Sequence, residues 1–126
     1  MADDKRNAIN WFEIPTANFE RAKKFYETII GSSMFTMKMG DIDMAGFPSD
    51  EGKVGGAVIF HKDAKPSAEG TMVYLNANPD LSVILSRVEN AGGKIVLPKT
   101  QITPEIGFMA VFFDTEGNRV ALHSQK

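Results

Sequence analysis

Few groups in this chain are able to do chemistry, and they are scattered along it. The only histidines are His61 and His123, the single tryptophan is Trp11, and there is no cysteine. Lack of thiols removes disulfide frameworks, thiolate nucleophiles, zinc ribbons and iron–sulfur clusters together. Acid–base work falls to Glu13, Tyr74 and His123, each on a run of alternating apolar character. A divalent ion would have to draw on His61, His123 and Glu13, too few for a convincing site. Lys and Arg number 14 against 16 Asp and Glu, a net charge of −2, so no basic surface points to nucleic acid. No apolar run approaches the ~20 residues that span a bilayer, and MADDKRN carries no apolar signal region. A cytoplasmic protein with no membrane partner is the expectation.

The elements that must position those groups come next. A length of 126 residues suits one domain, 1–126. Residues 8–15 (AINWFEIP) alternate as a strand, with Phe12 and Ile14 on one face and Trp11 and Glu13 on the other. In NFERAKKFYETIIG, Asn18 is placed to cap a helix whose apolar stripe is Phe19, Ala22, Phe25, Tyr26 and Ile29, and Gly31 ends it. Strand-like runs follow at 33–39, 42–47 and 54–61, and the polar segment 62–69 reads as a linker. The scheme then begins again. TMVYLNA (71–77) alternates, and Asn78-Pro79 starts a second helix with Pro at its first position. Its stripe is Leu81, Ile84, Leu85 and Val88, and Gly92-Gly93 stops it. KIVLP (94–98), FMAVFF (108–113) and NRVALHS (118–124) supply the last strands, the final pair forming a hairpin across Asp114–Gly117.

Each half repeats strand–helix–strand–strand–strand, with modules at 6–61 and 70–124. Asn18 matches Asp80, Phe19 matches Leu81 and Gly31 matches Gly93 at one constant offset. One helix covers only one face of a sheet, so the other face of each sheet has to be lined or buried by something. Two such faces brought together would make a cleft, the natural place for a function.

Three segments, INWFEIPTANFERAKKFY, MVYLNANPDLSVILSRVENAGGKI and GFMAVFFDTEGNRVALHS, resemble the vicinal oxygen chelate superfamily, which includes glyoxalase, bleomycin-resistance proteins and extradiol dioxygenases. The likeness covers nearly the whole chain in order. It implies an α+β fold of two βαβββ modules whose curved sheets surround a shared cleft, helices outside, often completed as a homodimer. Metal-dependent members carry His, Gln or Glu at four inward places, on the first and last strand of each module. Counted from the matching segments, those places fall on Trp11, on Phe60, on Met72 (or Val73, if the residue near Pro79 is placed differently) and on Ala121. None offers a ligand that a hard or borderline divalent ion accepts, and a thioether is too soft for one. The register that turns Phe60 inward turns His61 away. The metal chemistry of the family is therefore not carried over, and no metal or other cofactor is expected.

The cleft lining can be named from the same alternation: Trp11, Glu13, Phe60 with Val58 beside it, Met72, Tyr74, Asn76, Arg119, Ala121 and His123. An apolar, aromatic surface with a few convergent polar groups is the usual makeup of a small-molecule pocket. Trp11, Phe60, Met72 and Tyr74 also suit plain core filling, Glu13 and Arg119 suit a solvated rim, and His123 suits an exposed terminus. Met34, Met37, Met39 and Met44 cluster with Phe35 and Phe47, where they either adapt to irregular ligands or fill gaps and subunit contacts. Three functions are open. The leading one is a metal-independent binder of an apolar or aromatic small molecule. The second is a lyase or isomerase using Glu13, Tyr74 or His123 as acid or base. The third is an interaction or regulatory module with a filled cleft. A homodimer is expected in each case, because short modules leave sheet edges to cover.

Overall fold

The first strand owes its shape to the two glycines opposite it. In the computed structural model, which describes residues 7–126, β1 (Trp11–Pro15) lies parallel to β4 (Gly55–Phe60), pairing Trp11 with Gly55 and Phe12 with Gly56. A Cβ on Gly56 would collide with the Phe12 ring, and one on Gly55 would stand 3.4 Å from the Trp11 ring. The missing side chains let two large rings approach β4 closely, one on each face. Antiparallel β3 (Ile42–Gly46) and β2 (Phe35–Met39) complete the sheet in the order β1-β4-β3-β2. The module start at residue 6 falls outside the described residues.

The second module repeats the first. Its sheet has the order β5-β8-β7-β6, built from β5 (Tyr74–Asn76), β6 (Lys94–Thr103), β7 (Gly107–Phe113) and β8 (Arg119–Ser124). Again the first and last strands run parallel, pairing Tyr74 with Ala121 and Asn76 with His123. The sequence predicts 71–77 as a strand; the strand is shorter, Tyr74–Asn76, with Val73 and Ala77 bonded to β8 at its two ends, whereas KIVLP extends with register shifts to Thr103.

Helix α1 (Phe19–Ile30) forms as its sequence requires. Asn18 is extended and its side chain accepts from the Arg21 N–H, while Gly31 closes the end at φ 78°, its N–H returning to Glu27. Helix α2 differs from expectation. It is short, Ser82–Val88, and Pro79 lies outside it, after a cis Asn78-Pro79 bond. Asp80 serves in place of a first-turn proline: its carboxylate accepts from the Ser82 N–H at 2.9 Å.

Both helices and the helix faces of both sheets share one core. Phe25, Tyr26 and Ile29 of α1, Leu81 just before α2 and Val88 within it meet Ile14, Ala45 and Val58 from one sheet and Ala110, Phe112, Val120 and Leu122 from the other. Phe25 stands 5.9 Å from Phe112, ring centre to ring centre. The turn Asp114–Gly117 locks the modules together. Asp114 accepts from the buried Tyr26 hydroxyl at 2.7 Å, and burial together with that carboxylate pushes the phenol well above its usual pKa. Glu116 accepts from the Ala17 and Asn18 N–H groups and pairs with Arg21, so a residue of the second module caps the helix of the first.

Candidate functional site

The open faces are read directly from the strand register. On the first sheet the face away from α1 carries Trp11 and Glu13 of β1, Gly55, Ala57 and Ile59 of β4, Ile42 and Met44 of β3, and Phe35, Met37 and Met39 of β2. Phe60 is not among them. It shares the helix face with Val58, which is fully buried against α1, so both residues are removed from the expected lining. Ile59 stands inward in place of Phe60 and packs with Met44 and Ala57. The physical reason is parity. Pairing with β1 fixes which residues of β4 share the Trp11 face, and counting from a distant motif misses that by one. His61 follows on the Ile59 side of the alternation, at the sheet end, with Nε2 3.5 Å from Asp41.

An open groove of about 1400 Å³ runs along the seam between the modules. Its walls are the free edges of β1 and β5. Trp11 and Glu13 from β1 and Met72, Tyr74 and Asn76 from β5 and the residues before it line the groove, together with Phe12, Ile29 and Ile84. The loop 47–54 adds Pro48, Asp50 and Lys53 to the lining. Trp11 is 45 % exposed and Tyr74 52 %, so neither ring is a core plug. The Trp11 indole N–H donates to the Glu13 carboxylate at 3.2 Å, fixing an aromatic ring and an anion side by side. Asn76 accepts from the Asn78 backbone and side-chain N–H groups, both at 3.0 Å.

Five residues of the expected lining thus come together, and the rest do not. Arg119, Ala121 and His123 share a face with Tyr74 and Asn76 but stand outside the groove. Ala121 is fully buried and Arg119 exposed. His123 Nε2 donates to the Ile106 carbonyl at 2.7 Å, which ties the ring to the turn between β6 and β7. The methionine cluster also divides. Met34, Met44 and Phe47 are buried, whereas Phe35, Met37 and Met39 are each more than half exposed on the edge strand β2. Sequence reasoning missed the part played by the loop 47–54 and by Ile84, since nothing in a linear pattern says which loop covers which edge.

With this geometry in view, the comparisons decide the lineage. The model of the Glyoxalase/Bleomycin resistance protein/Dioxygenase superfamily matches residues 8–122. The chain belongs to this superfamily. A glyoxylase-like domain-containing protein of Didymella fabae is 33% identical over 128 residues, spanning 90% of this chain and 91% of that one. Among solved structures, a glyoxylase/bleomycin resistance protein/dioxygenase domain from Frankia sp. EAN1pec superposes with a TM-score of 0.70 at 11% identity, covering 97% of this chain and 100% of that one. A family enzyme from Burkholderia phytofirmans PsJN gives 0.67 at 14% identity, covering 93% and 98%. At such identities these structures share the fold.

The superfamily's metal chemistry can be tested against the residues present. The four places it would use are Trp11, Ile59 (in place of Phe60), Met72 and Ala121, and none is a donor for a divalent cation. Among the described residues no group of three or more His, Cys, Asp or Glu side chains converges. The residues do not fit a metal, and no step is derived through one. Among the described residues, no helix is long and apolar enough to cross a membrane.

Proposed function

We propose that the protein is a metal-independent binder of small apolar or aromatic molecules, held in the groove between β1 and β5. The observation that carries this reading is the pair Trp11 and Tyr74, two half-exposed rings facing one open groove of about 1400 Å³. Large aromatic side chains left half bare along one groove offer an apolar ligand area that water solvates poorly. Glu13 and Asn76 supply the few polar groups that would orient what binds. A filled interaction module fits less well, because its rings would close on each other.

The test uses Trp11 as its own reporter, being the only tryptophan. Excitation of the indole during titration with small aromatic and amphiphilic compounds should give saturable quenching or a shift in emission. Trp11→Ala should weaken binding measured by calorimetry while the folded state persists. A compound panel that leaves emission unchanged, with a null calorimetric titration, refutes the proposal.

Homodimerisation is proposed with it, supported by β2. This edge strand presents Phe35, Met37 and Met39 on one face, more than half exposed, beside unpaired backbone groups. Unprotected apolar edges invite pairing. Sedimentation at micromolar concentration should show a species heavier than 13.8 kDa.

A further inference from the structure

We propose that the groove selects cationic ligands: molecules that join an aromatic or apolar body to an ammonium or other positively charged group, the charge seated at Glu13. The inference rests on the binding function proposed above and adds the class of ligand. Three observations carry it. First, the Glu13 carboxylate lies on the groove wall next to the Trp11 indole, held there by the indole N–H at 3.2 Å. The contact orients the ring and the carboxylate together, so one bound group can meet both. Second, Trp11 and Tyr74 both reach into the groove with about half their surface bare. The face of an indole or phenol ring is electron-rich and attracts a cation, more strongly when water is partly excluded. Third, the charges lining the groove among the described residues are Glu13, Asp50 and Lys53. Asp50 and Lys53 stand on the same loop, 47–54, and their charges offset one another, which leaves the Glu13 carboxylate to set the sign.

A neutral or anionic ligand would gain less from this arrangement. A carboxylate brought beside Glu13 meets like charge, and a neutral ring leaves the anion with water or displaces that water without replacing its hydrogen bonds. A cation instead replaces lost hydration with an ion pair and a ring face at one position. Selectivity of this kind is electrostatic, so salt should erode it.

The experiment titrates three probes of similar size into the protein: benzyltrimethylammonium, benzyl alcohol and phenylacetate. Trp11 emission and calorimetry provide the two readouts. The expected order is benzyltrimethylammonium, then benzyl alcohol, then phenylacetate, with the cation bound roughly tenfold more tightly than the alcohol at low salt. Raising the salt to about 0.5 M should narrow that ratio, because screening shortens to a few ångströms. Glu13→Gln should bring the cation to within about twofold of the alcohol. The ratio in the unmodified protein tests the inference independently of that variant. Equal binding of all three probes, or preference for phenylacetate, overturns cation selectivity and leaves the binding function standing. No binding by any probe or by the wider compound panel overturns both.

Discussion

Replacing Glu116 by Gln should loosen the joint between the modules. The Glu116 side chain has no exposed surface, and its carboxylate receives five hydrogen bonds: the Ala17 N–H, the Asn18 N–H, Arg21 Nε, Arg21 Nη2 and the Thr115 hydroxyl. Burial pushes its pKa up, but the hydrogen bonds from Arg21, Asn18, Thr115 and Ala17 outweigh that and hold it at about 2, against a usual 4.5. That displacement corresponds to roughly 3 kcal/mol of preference for the charged form in the folded state. Arg21 is half exposed, so water screens part of its contribution, and about 2 kcal/mol is the expected loss for Glu116→Gln. A domain of this size should then melt roughly 6–10 °C lower. The sign with pH follows from the folded pKa lying below the unfolded one. The contribution is fully present above about pH 4.5 and is lost as pH falls toward 2. Urea unfolding of both proteins at pH 7, 4 and 3 is the assay, and the gap between them should shrink steadily with acid. Asp80, whose backbone hydrogen bond from Ser82 and side-chain bond from Lys99 hold its pKa at about 2, titrates in both proteins and cancels in the difference. A gap below about 0.5 kcal/mol at pH 7, within the range of ordinary surface changes, would show that Glu116 does not tie the modules together. A gap that is unchanged at pH 3 would show that its charge does not.

Other outcomes follow from the same structure. Trp11→Ala should cost about 1–2 kcal/mol, less than the ~3–5 of a fully buried aromatic, because the ring is 45 % exposed; a larger loss in urea unfolding would mark Trp11 as core. Nickel, zinc, iron and manganese should leave the melting temperature unchanged. A true native-state site would add about 2.7 kcal/mol at a hundredfold excess over its dissociation constant, so a rise on addition would overturn that expectation. Met37→Lys places a charge on the exposed face of β2 and should convert a dimer to monomer in sedimentation with little change in unfolding free energy of the monomer. A dimer that survives it uses another surface.

Local chemistry determined much of this protein from its sequence. Asn18 and Gly31 bound α1 because the backbone groups at a helix end need a nearby acceptor and a left-handed residue, and both needs are met within a few positions. The repeated order of elements and the superfamily resemblance were likewise legible, since each depends on residue type and spacing. Face assignment on β1, β5 and β8 followed from alternation alone. Tertiary structure decided what depends on distant partners. The register with β1 turned Phe60 outward and Ile59 inward, a difference of one residue that no local signal contains. The seam between β1 and β5 gathered Trp11, Glu13, Met72, Tyr74 and Asn76 and left Arg119, Ala121 and His123 outside, because a face is shared along a whole sheet but a groove occupies only its edge. Glu116 became a helix cap across the module boundary in the same way. A carboxylate in a turn is ordinary in sequence, and only the packing of the second module against the first brings the Ala17 and Asn18 N–H groups within its reach.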